Sequence, residues 1–278
     1  MKITTNLLLF LIATTIVFSQ KQETIDSDRP GQSMSAHTVG KNVLQIQTGF
    51  DYTSHSNDPS YVPKYSFNVF GNETNIRYGL LDILEINGSI GYRVYNTNYE
   101  DKNRADRNQH GAELLRFGTR VNILDHDGLT PAIAASLELV VPYETEVYKF
   151  IDYGFRGFIL IKQPITNELA LTGNFGVYHT PQMYEYMPEY FYRYTLNTSY
   201  SFNDKLSAYV EIYGFINTEY RSEFGFVNND NMDYDFGVGY LLNNDLLLDF
   251  SIGKDNSFGD GDWYVNAGVS FRFGGEEE

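Results

Sequence analysis

Apolar side chains alternate with polar or small ones along most of this chain, and that alternation limits the possible folds more than any other feature. It begins at Val43 and returns in about twelve segments, each about ten to fourteen residues long and closed by a turn signal. In the final segment Trp263 and Phe271 share one face, whereas Asn266 and Arg272 share the other. Because side chains of a β-strand point alternately to opposite faces, the chain is predicted to be all-β.

The lengths of the connections also alternate. Short turns are expected at 80–82, 125–128, 163–167, 203–205 and 243–245, and long polar loops at 55–64, 97–110, 143–149, 180–189, 219–230 and 254–261. Barrels of the bacterial outer membrane combine an even number of antiparallel strands with short periplasmic turns and longer outer loops. The pattern therefore predicts a transmembrane antiparallel up-and-down β-barrel of about twelve strands, with both ends in the periplasm.

The charged residues of the segments lie on the face opposite the apolar one. They are Arg93, Arg116, Arg120, Glu138, Arg156, Arg193, Glu211, Asp233, Asp235, Asp249 and Arg272. A charge facing lipid would cost roughly 2–4 kcal/mol at mid-membrane, so this face is expected to line the lumen. About twelve strands should enclose a narrow, partly occluded conduit. We expect these charges to set its selectivity and to form ion pairs across it.

The first residues differ from the rest of the chain. Lys2 precedes an apolar run from Leu7 to Phe18 that is too short to span a bilayer as a helix. Small residues then offer a cleavage site, so residues 1–19 are expected to be a removable signal peptide; an uncleaved anchor is the alternative. The barrel is expected over 43–273, and 274–278 should be a solvated acidic tail.

Composition excludes several classes of partner and cofactor. The net charge of -16 disfavours nucleic acid, and the absence of cysteine rules out disulfides and thiolate metal sites. The histidines at 37, 110, 126 and 179 lack metal-ligand spacing, and the acids at 255, 260 and 262 match a calcium loop only weakly. We expect no cofactor and no metal. The expected partners are outer-membrane lipid and lipopolysaccharide, the barrel-assembly machinery and a small-molecule solute.

A short motif precedes the first strand. The chain reads Asp-Ser-Asp-Arg-Pro-Gly-Gln-Ser over 26–33, and Val-Gly-Lys-Asn-Val-Leu-Gln-Ile-Gln-Thr-Gly-Phe over 39–50. It resembles the outer-membrane transporter family of the MetA pathway of phenol degradation, common in Bacteroidetes. Members of that family open with DRP-x-Q and G-x-LQ-x-E-x-G elements. Gln47 stands where the family usually has Glu. The resemblance implies an outer-membrane barrel over essentially the whole mature chain.

Two interpretations of residues 20–42 remain open. Pro30 gives an extended or turned entry to the barrel, and Arg29 and Asp28 offer charges for lumen partners. The segment is then a plug inside the lumen. The alternative is a disordered periplasmic leader.

An aromatic stretch runs from Pro181 to Tyr194 and contains Met183, Tyr184, Tyr186 and Met187. Tyrosine and methionine surfaces suit apolar or aromatic ligands, so the stretch is a candidate ligand vestibule. An interfacial aromatic girdle would have the same composition.

His55 and Ser56 raise the question of a catalytic pair, because outer-membrane lipid hydrolases use His as the base for a Ser nucleophile. On a strand the two side chains would point to opposite faces, and no G-x-S-x-G motif is present. We therefore favour a loop position for His55 and a protein that is not an enzyme.

The function expected from the sequence is a channel or transporter for small, hydrophobic or aromatic solutes. A lipid hydrolase or deacylase at the barrel rim and a structural barrel without flux are the alternatives.

Overall fold

The computed structural model describes residues 22–56, 65–101, 103, 105–144, 149–150, 153–179, 190–216, 218–221, 225–228, 231–254 and 262–275. Within these ranges sixteen strands form, and no helix is long and apolar enough to cross a bilayer.

Twelve strands close into one antiparallel barrel in which each strand pairs with its neighbours along the chain. They are β1 (Val43–Ser56), β2 (Tyr65–Leu81), β3 (Leu84–Tyr99), β4 (Arg107–Leu124), β5 (Ala132–Val140), β8 (Gly154–Pro164), β9 (Leu169–His179), β10 (Tyr190–Ser201), β11 (Leu206–Ile216), β14 (Asn231–Asn243), β15 (Leu246–Lys254) and β16 (Trp263–Gly274). β1 pairs with β16 from Val43–Gly274 to Ser54–Trp263, which closes the sheet. The predicted twelve-stranded barrel is confirmed.

Four short strands lie outside the barrel sheet. β6 (Tyr143–Glu144) pairs with β7 (Lys149–Phe150), and β12 (Thr218–Arg221) pairs with β13 (Gly225–Asn228). These ladders fall in segments that were predicted to be loops over 143–149 and 219–230, so parts of both loops are instead hairpins.

The loop predicted at 97–110 is shorter than expected, because both of its ends lie in strands. β3 continues to Tyr99 and β4 begins at Arg107, with Thr97 opposite Arg107 and Tyr95 opposite Gln109. The added strand residues at the end of β3 and the start of β4 are mostly polar on both faces. The alternation of apolar and polar residues therefore could not predict them. β2, β3 and β4 have 17, 16 and 18 residues, more than the roughly nine to eleven that a membrane crossing needs.

The outer face of the barrel is apolar. Phe50, Phe117, Leu137, Val210 and Phe236 are each about half exposed near the middle of their strands. Their sequence neighbours with the opposite orientation are buried polar residues, among them Arg116, Glu138, Glu211 and Asp235. This reverses the arrangement of a water-soluble barrel and fits one whose outer face contacts lipid.

The two ends of the barrel are called here the turn end and the loop end. The turn end carries the short connections, the start of β1 and the end of β16, and the loop end carries the longer connections. The orientation predicted from the connections places the turn end in the periplasm.

Candidate functional site

The predicted lumen residues lie on the inner wall. Arg116, Arg120, Glu138, Glu211, Asp233, Asp235, Asp249 and Arg272 are buried there. Arg93, Arg156 and Arg193 are partly exposed, with side chains that contact other inward-facing groups. Their role in selectivity remains a prediction.

A ladder of arginines and carboxylates covers the wall formed by β1 to β5 and β8. The Arg93 guanidinium bonds to Asp51 and to Glu113. Arg116 lies 2.6 Å from Glu73 and 3.2 Å from Glu138, and Arg156 donates to Glu138 at 2.5 Å. Bidentate or shared arginine–carboxylate contacts of this kind are the stronger ion pairs.

These wall pairs join adjacent or next-adjacent strands. Arg93 on β3 pairs with β4 and β1, and Arg156 on β8 pairs with β5. The expectation of ion pairs from wall to wall across the lumen is therefore not met among the described side chains. The groups that reach into the lumen to pair with the walls come from residues 22–42.

Residues 22–42 enter the lumen at the turn end beside β14–β16. The backbone of Ile25 donates to Asn244 at 2.7 Å, and the Arg272 guanidinium donates to the carbonyls of Gln22 and Glu23 at 2.8 Å each. Arg272 is thus placed at the entry of the segment and not in the middle of the lumen.

Arg29 then lies against the seam where β1 meets β16. Its guanidinium donates to Asp249 at 3.0 and 3.2 Å and to Asn266 at 2.6 Å. Gly49 and Gly268 face each other across this seam, and a Cβ at either position would overlap the guanidinium. The absence of side chains there makes the space that Arg29 occupies.

Asp28 joins the segment to the opposite side of the lumen. Arg120 binds both carboxylate oxygens of Asp28, at 2.7 and 3.1 Å, and Arg77 lies 3.5 Å away. Arg77 is itself held by two 2.8 Å bonds to Glu85. Arg29 and Asp28 together tie the segment to β15 and to β4, so the chain crosses the lumen at this level.

The residues after Pro30 contact the remaining wall. The Gln32 amide donates to Glu211 at 2.5 Å, the Ser33 and Thr195 hydroxyls are 2.7 Å apart, and the Met34 amide donates to Asn174 at 2.6 Å. Asn174 returns a bond to the Met34 carbonyl at 3.0 Å. These bonds satisfy backbone groups that β-pairing does not reach.

A small apolar cluster secures the returning part of the segment. Ala36 is fully buried against Ala132 and Ala134 of β5 and Leu160 of β8. Small side chains on β5 leave room for the segment's backbone, as the glycines do at the seam. Between this cluster and the start of β1, the Val39 amide donates to Glu85 of β3 at 2.9 Å.

The two aspartates of the segment are stabilised as anions. Burial alone would raise the pKa of Asp26, but the Lys162 ammonium and the bond to His37 outweigh burial and hold that pKa well below its usual range. Burial of Asp28 is likewise outweighed by Arg120 and Arg77, and its pKa is lowered. The ion pairs of Lys162 with Asp26 and of Arg120 with Asp28 are at full strength at neutral pH and weaken as the pH falls through the lowered pKa values of the two aspartates.

A cavity of about 390 Å³ lies between the tip of the segment and the loop-end part of the wall. Asp28, Arg29, Gly31, Gln32 and Met34 bound it on one side. The arginine–carboxylate ladder lines a second side, and aromatic rings line a third.

The aromatic wall spans β8 to β11. Phe158 meets Tyr178 edge-on at 5.4 Å, Tyr178 stacks on Phe191 at 4.7 Å, and Phe191 meets Phe215 edge-on at 5.4 Å. The Arg156 guanidinium lies 5.8 Å from the Tyr178 ring centre, within the range of cation–π attraction. The lumen therefore offers charged and aromatic surfaces to the same small volume.

Several lumen charges were missing from the sequence-based set. They are Asp51, Glu73, Arg77, Glu85 and Glu113. Asp51 sits between the outward Phe50 and Tyr52, so alternation alone could have identified it. Glu113 could not be found in this way, because a bulge in β4 opposite Ser89 and Gly91 turns both Glu113 and Arg116 inward.

His55 lies in strand β1 and not in a loop, so that prediction was wrong. Its ring is 2% exposed, bonds to Asp262 and packs 4.5 Å from the Phe67 ring. Among the described residues the imidazole is buried, and this position does not support the hydrolase alternative.

The vestibule residues Met183, Tyr184, Tyr186 and Met187 lie outside the described residues, as do residues 1–21 and most of the weak calcium candidate. Within the described ranges no cluster of three or more His, Asp or Glu has the arrangement of a metal site.

The closed barrel, its apolar outer face and its charged interior define the class of this protein: it is a β-barrel of the bacterial outer membrane. Residues 27–273 match the sequence profile of the family described as "Putative MetA-pathway of phenol degradation". The chain belongs to that family, as the motif before the first strand predicted.

Solved structures show the same fold at low sequence identity. An outer-membrane channel from Pseudomonas putida F1 is 10% identical with a TM-score of 0.65, over 90% of this chain and 100% of that one. The transport unit of the autotransporter AIDA-I from Escherichia coli is 13% identical with a TM-score of 0.54, over 94% and 97%. The KdgM porin is 9% identical with a TM-score of 0.50, over 81% and 99%. No curated protein is similar to this chain in sequence.

Proposed function

We propose that this barrel is a channel for small, hydrophobic or aromatic solutes, and that residues 22–42 act as its plug. The observation that carries the proposal is the cavity of about 390 Å³, which combines an aromatic wall with an arginine–carboxylate ladder and has the segment as its floor. The similar fold of an outer-membrane channel supports the same conclusion. We assign no reaction to the protein.

In this proposal the solute enters from the loop end, and the plug restricts passage to the turn end. The segment is held by separate polar contacts and one small apolar cluster rather than by a β-ladder. Such contacts can be released individually, so partial withdrawal costs less than opening the barrel wall.

The test compares single-channel conductance of the intact mature chain with that of a chain lacking residues 21–38. We expect a higher conductance after deletion, because the contacts that cross the lumen are gone. Unchanged conductance would show that the segment does not limit passage.

A second variant tests the plug without removing any residues, so its result does not depend on whether the shortened chain folds. Ser33→Cys with Thr195→Cys places two thiols where the hydroxyls are 2.7 Å apart, and the chain has no other cysteine. The oxidised protein should conduct less than the same protein after reduction. A barrel that passes neither ions nor solutes in either state would instead be structural.

A further inference from the structure

Arg193 differs from the other arginines that line the cavity. Arg29, Arg93, Arg116 and Arg156 each form an ion pair with at least one carboxylate. Among the described residues Arg193 forms none: its Nη2 donates to the neutral side-chain oxygen of Gln32. The carboxylate of Glu211 accepts the backbone amide of Gln32 instead.

Two aromatic rings lie beside this guanidinium. Its carbon lies 5.9 Å from the centre of the Tyr213 ring and 5.7 Å from that of Phe215. Phe215 packs edge-on against Phe191, and Phe191 stacks on Tyr178, so the arginine lies at one end of a continuous row of aromatic rings. Flat rings bind to such surfaces by stacked or edge-on contacts.

We propose that Arg193 binds the carboxylate of a small aromatic carboxylate, whose ring lies against Tyr178 and Phe215 of the cavity wall. This inference rests on the proposed channel function and names the class of solute. A carboxylate accepts two parallel bonds from a guanidinium and binds it more strongly than a neutral amide oxygen does. The solute would therefore take the place of Gln32 at Arg193.

The size of the cavity agrees with a solute of one ring. An apolar cavity of about 150 Å³ is large enough to bind benzene. The cavity beside Arg193 has about 390 Å³, which leaves room for a ring, its carboxylate and water. Because Gln32 belongs to the segment in the lumen, binding at Arg193 also removes one contact that holds this segment.

The experiment measures binding of benzoate to the purified, folded barrel by titration calorimetry in a buffer free of carboxylates. Arg193→Gln should weaken benzoate binding at least about tenfold, or about 1.4 kcal/mol. Benzyl alcohol has the same ring without the charge, and its binding should not change in this variant. Acetate and inorganic phosphate should bind the unmodified barrel more weakly than benzoate, because they lack the ring.

Two further variants separate the role of Arg193 from general damage to the fold. Gln32→Glu supplies a tethered carboxylate to an intact Arg193 and should weaken benzoate about as much as Arg193→Gln. Arg107→Gln makes the same change at an exposed arginine at the start of β4 and should leave affinity within about twofold.

Wild-type affinity for benzoate in Arg193→Gln, or in Gln32→Glu, would overturn the inference. Solute uptake by liposomes is measured separately. Uptake without benzoate binding defeats this inference alone, whereas binding without uptake of any solute defeats the channel proposal and leaves the anion site standing.

Discussion

Two glycines determine where Arg29 can lie. Gly49 and Gly268 are cross-strand partners at the β1–β16 seam, and the guanidinium fills the space that their side chains would take. The guanidinium contacts Asp249 and Asn266, so its positive charge lies next to the buried carboxylate of Asp249. A glycine in a strand often marks such a close approach by another part of the chain.

Gly268→Val should displace Arg29 and loosen residues 22–42. The amides of Gln32, Met34 and Ser35 are bonded to side chains, so they should exchange with deuterium faster in the variant, as measured by mass spectrometry. Gly173→Val is the control, since a Cβ there would meet only one backbone oxygen, at 3.7 Å. Equal exchange in the two variants would show that Arg29 does not hold the segment.

Within the sheet, the register of the strands determines which side chains lie next to each other. The β1–β16 pairing runs without a shift, whereas β4 contains a bulge opposite β3. The bulge brings Glu113 and Arg116 to the same face although they are three residues apart. As a result, Arg93 contacts the Glu113 carboxylate and Arg116 contacts the Glu138 carboxylate, each on a neighbouring strand.

The register of the closing seam can be tested with paired cysteines. Thr48 lies opposite Val269, so Thr48→Cys with Val269→Cys should form an intramolecular disulfide on oxidation, because directly opposed Cα atoms are about 4.5–5.5 Å apart, within the range that a disulfide bridges. Thr48→Cys with Phe271→Cys moves one thiol two residues along β16 and should cross-link much less. Peptide mapping measures both yields, and equal yields would contradict this register.

The whole molecule separates two environments with a single sheet. Its outer face is apolar in the middle of the strands, and its interior contains the ion pairs, the aromatic wall and residues 22–42. The segment occupies the turn-end part of the lumen and leaves the cavity toward the loop end. A substitution should therefore have a cost that depends on which side of the sheet it faces.

Val210 is 57% exposed in the middle of β11, and Val210→Lys should lower the free energy of unfolding in lipid vesicles by about 2–4 kcal/mol. The reason is that the ammonium group would face hydrocarbon. Asn167→Lys, at an exposed turn, should change it by less than about 0.5 kcal/mol. Urea titrations followed by fluorescence measure both values, and a Val210→Lys barrel as stable as the control would contradict a lipid-facing position.

The twelve-stranded barrel follows from the alternating pattern of the chain alone. Alternation depends only on the two-residue period of a strand, so it predicted twelve strands, their connections and the inward position of residues such as Arg120 and Glu138. It failed at 97–110, where a strand has polar residues on both faces, and at Glu113, where a bulge changes the parity.

The position of residues 22–42 inside the lumen depends on contacts between distant parts of the chain. The sequence left residues 20–42 as either a plug or a leader, because nothing in Asp28-Arg29-Pro30 specifies which distant groups they will meet. Barrel closure brings Asp249, Arg120 and the Gly49–Gly268 pair around those residues. The contact between Arg29 and Asp249, for example, joins positions 220 residues apart, and such pairings cannot be read from a local pattern.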